Sequence, residues 1–172
     1  MTEQSIYIRN ETAADIAAIG AITSAAFAPL EISNHTEQFI VEALRAAGVL
    51  SISLVAEVDG EVVGHVAFSP VDISDSSTGW YGLGPVSVRP DCQRRGIGKA
   101  LIEEGLARLR ALGAAGCCLV GHPDYYRKFG FDNAPGLMVE GVPAEFVFAL
   151  SFVDGLPRGT VTFHEGFGAT GN

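Results

Sequence analysis

Gly96 and Gly98 stand where a short apolar run gives way to an amphipathic helix, and three cations, Arg94, Arg95 and Lys99, crowd the same turn. The first N–H groups of a helix lack internal partners and sit at the positive end of the helix dipole. Glycine there puts no Cβ between those groups and an approaching anion, so the turn has the make-up of a phosphate cradle. An ordinary strand-to-helix turn is the alternative. Two known phosphate loops do not fit. A Walker loop needs glycine five residues before Gly98, where Gln93 stands, and Ser or Thr after Lys99, where Ala100 stands. A dinucleotide fingerprint from Gly96 needs a glycine where Leu101 stands.

The other reactive side chains form no recognisable set. His35, His65, His122 and His164 lack metal spacing, and Cys92, Cys117 and Cys118 form neither a disulfide framework nor a zinc pattern, so no metal is expected. Without a Cys–His pairing, a covalent cysteine mechanism is not expected either. The odd cysteine count and the absence of a leader at residues 1–5 fit a reducing, cytoplasmic setting. No apolar run is long enough to span a bilayer.

Charge narrows the partners. The 172 residues carry a net −9, against general nucleic-acid binding. Eight of the eleven Lys and Arg lie between Arg89 and Lys128, against the four acids Asp91, Glu103, Glu104 and Asp124. One cationic region is therefore set in an acidic chain, where it can attract an anion while the remainder favours a cationic amine. Solvated surface charge is the plainer alternative.

The elements that must position the turn follow from periodicity. Strands are expected at 6–9, 51–58, 61–71, 80–88, 115–120, 145–152 and 160–164, and helices at 11–27, up to 47, 98–112 and 123–129. Thr12 is placed as a cap of the first helix and Asn34 or Thr36 of the second. Asp59-Gly60 is a hairpin turn. In the 80–88 strand the apolar phase slips between Leu83 and Val86, so a β-bulge is expected at Gly84-Pro85. A strand at 80–88, the helix at 98–112 and a wholly apolar strand at 115–120 make a βαβ unit with parallel strands. The length fits one domain over residues 1–172.

Gln93-x-x-Gly96-x-Gly98, following Val86-x-Val88-x-Pro90, resembles the acetyl-CoA-binding signature of the GNAT N-acetyltransferase superfamily. "HPDYYRKFGF" is similar to that family's helix ending Tyr-x-x-x-Gly-Phe, with Tyr126 four residues before Gly130. "GLMVEGVPAEFVFAL" resembles a bacterial branch of predicted N-acetyltransferases. The resemblance implies an α/β fold, with a mixed, mostly antiparallel sheet of about six to seven strands, a bulge that splays it, and helices on both faces. It implies direct acetyl transfer from acetyl-CoA to the primary amine of a small molecule or peptide, or, on the same fold, a non-catalytic acyl-CoA sensor. Val86, Ser87 and Val88 would hold the pantetheine arm, and Arg94, Arg95, Gly96, Ile97, Gly98 and Lys99 the diphosphate. Gln93, His122 and Tyr126 join the cofactor-binding set. Arg127 or Lys128 is placed, on charge alone, near the nucleotide phosphate. Tyr126 would be the general acid. The acceptor side would be formed by Phe27, Glu31, His35, Phe68 and Leu83. The acid that many members carry before the bulge is missing here, so the general base is open among His65, Glu31, His35 and His122, or a water chain. A homodimer through the C-terminal strands is implied by analogy.

Overall fold

The computed structural model describes residues 5–30, 33 and 35–171. Its spine is a run of antiparallel neighbours, β1 (Tyr7–Asn10), β2 (Ile52–Val58), β3 (Glu61–Ile73) and β4 (Trp80–Val88). The β2–β3 turn is Asp59-Gly60, with φ of 53° and 81°, the backbone that a two-residue hairpin needs. Between β4 and β5 (Gly116–Val120) the sheet turns parallel, and α3 (Ile97–Ala111) makes the crossover. The sheet continues through β8 (Val147–Ser151) to β6 (Asp132–Asn133). Beyond that path, β9 (Gly159–Phe163) pairs with the far end of β3 and with β7 (Leu137–Met138).

Nine strands occur among the described residues, more than the six to seven expected. Strands β6 and β7 have two residues each, too short to leave a periodic trace. Residues 72 and 73, beyond the strand expected at 61–71, extend β3 because Asp72 and Ile73 pair with Thr162 and Val161. The expected strand at 145–152 starts at Val147, after a 3-10 turn at Ala144–Phe146.

The first helix also differs from expectation. A 3-10 turn, Ala13–Asp15, precedes α1 (Ile16–Phe27). The Asp15 carboxylate folds back to accept from the Thr12 backbone N–H at 2.7 Å and from its hydroxyl at 3.0 Å. The Arg9 guanidinium donates to Asp15 and to Glu57 across the β1–β2 pair. That cation holds the Asp15 carboxyl well below the usual range despite burial. Helix α2 (Glu37–Ala46) follows Thr36; Asn34 lies outside the described residues.

The helices cover both faces of the sheet. On one, Leu54, Val66 and Phe68 pack with Leu101, Ile102 and Leu109 of α3. A Cβ on Gly105 would lie 2.2 Å from the Phe68 ring, so this close helix–sheet approach requires glycine. On the other face, Val55 meets Ile19 of α1 and Val41 of α2. Full burial of each large side chain contributes about 1.5–3 kcal/mol, which fixes β3 and β4 as the rigid platform beneath the site.

Candidate active site

The site begins where β4 loses a neighbour. Trp80, Tyr81 and Gly82 pair with β5, but pairing stops there, while β5 continues alongside β8. Opposite, on β3, Val66 pairs with Val86 and Phe68 with Leu83, so two residues of β4, Gly84 and Pro85, face one of β3. This is the expected bulge. It bends β4 away from β5 and opens the sheet.

Alternation then assigns the backbone groups. The Arg89 N–H donates to Val63 of β3 at 2.7 Å, and Ser87 is two residues earlier on the same strand. Ser87 and Arg89 therefore point to β3, and the main-chain groups of Val86 and Val88 point into the opening. The Gln93 side-chain amide, outside the ladder, donates to the Val88 carbonyl at 3.0 Å. An unpaired strand edge of this kind accepts an extended, amide-bearing ligand as an added strand.

Past Val88, a 3-10 turn at Pro90–Cys92 leads to Arg94 and Gly96, whose φ values of 65° and 82° are both left-handed. Helix α3 then starts at Ile97. A cavity of about 540 Å³ runs along this path from Val86 to Lys99, within the range of small-ligand sites. Nothing lies within 4 Å of where a Cβ on Gly96 would sit, and a Cβ on Gly98 would come 3.1 Å from the Tyr125 hydroxyl. Both glycines thus keep the mouth of the helix open.

The sequence-predicted residues divide clearly. Val86, Ser87, Val88, Gln93, Arg94, Gly96, Ile97, Gly98, Lys99 and Phe27 all line this cavity. Arg95, exposed, does not line it, and neither does His122, whose Nδ1 accepts from the Asp124 N–H at 3.3 Å as a cap of α4 (Pro123–Tyr126). Phe68 and Leu83 lie in the core instead, because the bulge and the Gly105 contact turn them toward α3. His35 is exposed, its Nε2 3.1 Å from the Leu30 carbonyl oxygen. Glu31 lies outside the described residues.

Tyr126 does not line the cavity; its neighbour Tyr125 does. The Tyr126 ring packs against Gly121, Phe131 and Phe148 and meets Tyr125 edge-on at 4.9 Å. Burial, with a smaller contribution from Tyr125, pushes its phenol up to about 12. Lys128 lines the cavity and lies 4.1 Å over the Tyr125 ring. Arg127 is engaged elsewhere, donating to Asn133 at 2.7 Å. Ala26, Leu30, Cys92 and Tyr125 complete the lining without any signal in the motif. They reach the cavity from α1 and the turn after it, from the 3-10 turn and from α4, so only helical phase and tertiary packing could have found them.

Comparison with known proteins identifies the family of the fold. The family profile described as acetyltransferase (GNAT) domain matches residues 50–133. The uncharacterized N-acetyltransferase YhbS of Escherichia coli strain K12 is 36% identical over 128 residues, 74% of each chain. Among solved structures, a GNAT family acetyltransferase of Brucella melitensis in complex with acetyl-CoA is 50% identical, with a TM-score of 0.85 over 95% of this chain and 98% of the other. The E. coli YhbS structure in complex with CoA is 30% identical, with a TM-score of 0.88 over 99% and 96% of the two chains.

Proposed function

The chain belongs to the GNAT acetyltransferase family, and from that premise we propose that it transfers acetyl from acetyl-CoA directly to a primary amine, with Tyr126 as the general acid. The observation that carries the reading is the unpaired β4 edge from Val86 to Val88, running without a break into the glycine-opened start of α3. The residues present fit the co-substrate. Val86 and Val88 offer main-chain donors and acceptors to the amides of a pantetheine arm. The N–H groups at the start of α3, with Arg94 and Lys99 beside them, suit a diphosphate.

The chemistry falls to a few groups. The Val86 N–H, aimed into the opening, donates to the thioester oxygen and stabilises the negative charge that develops there as the amine attacks. The C–S bond then breaks, and Tyr126 supplies the proton for the departing thiolate. A phenol held near 12 keeps its proton at neutral pH, and the Tyr126 ring meets, edge-on at 4.9 Å, the Tyr125 ring that lines the cavity. We place the acetyltransferase unit over the whole chain, and the three buried free thiols, Cys92, Cys117 and Cys118, fit a reducing compartment.

The test pairs a thermal shift with acetyl-CoA and a thiol-release screen over primary amines: small polyamines, amino acids and peptide N-termini. The expected result is a raised Tm and thiol release with one amine class. Acetyl-CoA at about 100 times its Kd stabilises by about 2.7 kcal/mol. A raised Tm with no thiol release from any amine would make the chain an acyl-CoA sensor.

A further inference from the structure

Under α1 and α2 lies a buried polar cluster that the cavity lining does not include. His65, on β3, is 0% exposed. Its Nε2 lies 2.8 Å from the Ser53 hydroxyl oxygen and 3.8 Å from Glu11 Oε1. Ser53 also contacts Glu11, and Arg45 donates to both Glu11 carboxylate oxygens at 2.9 and 3.0 Å. A carboxylate only accepts, and a hydroxyl has one proton. Ser53 therefore donates to Glu11 and accepts from His65, which places the imidazole proton on Nε2. Nδ1 is left as a buried acceptor with no hydrogen-bond partner among the described residues. Native folds supply such groups with a partner, frequently water.

The cavity is one strand away. His65 pairs across strands with Ser87, which lines it. Paired side chains stand about 4.5–5.5 Å apart at Cβ on one face of the sheet, so the His65 ring and the Ser87 hydroxyl are neighbours. Thr23 donates to the Ile19 carbonyl at 2.7 Å, so at 3.2 Å it accepts from Ser87. The Ser87 oxygen keeps a lone pair for a water.

We propose that His65 accepts, at Nδ1 and through one water held against Ser87, the proton that the amine loses on acetylation. The proposal rests on the acetyl-transfer reading above. As the N–C bond forms, the amine N–H breaks with its electron pair staying on nitrogen. The proton passes to the water, and a proton of that water passes to Nδ1. The resulting imidazolium faces the Glu11 carboxylate. The C–S bond breaks with its pair on sulfur, which takes the Tyr126 proton. Nδ1 then returns its proton to solvent and Tyr126 regains one, so the net transfer is from N–H to S–H.

The charged groups acting on His65 are Glu11 and Arg45. Burial, the larger effect, lowers its pKa despite Glu11, so the ring is neutral and able to accept at neutral pH. Burial raises the Glu11 carboxyl, but His65, Arg45 and Ser53 outweigh it and leave it at about 2, ionised throughout the working range.

The test measures kcat and KM against pH for the wild type, His65→Gln and Glu11→Gln, using an amine found in the screen. In the wild type, kcat/KM should fall on an acid limb below the usual imidazole value of 6.5. In His65→Gln that limb should vanish and kcat should drop about 100-fold, with KM for acetyl-CoA unchanged. Glu11→Gln removes the facing charge, so the limb should move to lower pH. This arm decides the question where His65→Gln does not fold. An unchanged limb with near-wild-type kcat in His65→Gln, or an unmoved limb in Glu11→Gln, overturns the proposal. So does a proton on Nδ1 of His65 in the free protein, read by 15N NMR of histidine-labelled enzyme, a readout independent of turnover. Absence of wild-type turnover with every amine overturns the transfer reading instead.

Discussion

At the residue scale, two adjacent tyrosines are placed differently. Tyr125 lines the cavity, and burial raises its phenol. Tyr126 is packed more deeply, among Gly121, Phe131 and Phe148. Tyr126→Phe keeps the ring and its packing and removes only the donor. Steady-state kinetics should show kcat reduced about 100-fold or more, while calorimetry gives acetyl-CoA affinity within about twofold of the wild type, less than 1 kcal/mol. Tyr125→Phe should show the reverse pattern, with a changed KM for acetyl-CoA and a preserved kcat. Equal kcat in Tyr126→Phe and the wild type would remove Tyr126 from the chemistry. The turn from Gln93 to Lys99 was legible in the sequence because its glycines and cations are neighbours along the chain. Tyr125 and Leu30 were not, since their approach depends on how α4 and the turn after α1 dock. Phe68 was misplaced for a related reason: the motif does not say which face of β3 it occupies, and the void over Gly105 takes its ring.

At the scale of elements, the bulge decides where a ligand can add to the sheet. Its sequence trace was the shift of apolar parity between Leu83 and Val86, which the register reproduces as Phe68↔Leu83 followed by Val66↔Val86. The two-residue strands and the β3–β9 pairing left no trace, because pairings that short depend on which segments meet in space. The splay makes a residue-by-residue forecast for amide exchange. The Arg89 N–H is bonded to Val63, and Ser87 shares its orientation, so both amides should exchange slowly with or without ligand. The Val86 and Val88 amides face the opening and should exchange freely in the unliganded protein, then slow about tenfold or more when acetyl-CoA supplies the missing strand. Equal protection of Val88 in both states would mean that ligand does not add along this edge.

Over the whole molecule, the charge distribution sets the terms on which an anion approaches. A chain of net −9 repels a polyanion at long range, yet Arg94, Lys99 and Lys128 stand at the cavity. Screening separates the two effects. Charges more than about 8 Å away are largely hidden at physiological ionic strength, whereas contacts within the cradle are screened less. The acidic surface should therefore slow association mainly at low salt, and the local cations should govern affinity at about 0.15 M. Raising salt from about 0.15 to 1 M should weaken acetyl-CoA binding, because these cations are themselves exposed. Lys99 already shares its charge with Glu103 at 3.8 Å, and Lys128 with the Tyr125 ring, so each contributes modestly. Lys99→Gln and Lys128→Gln should each weaken binding about two- to fivefold, and the double variant should flatten the salt dependence measured by titration calorimetry. Affinity that rises with salt would show instead that the acidic surface dominates, and that the cradle binds through its backbone N–H groups rather than through its cations.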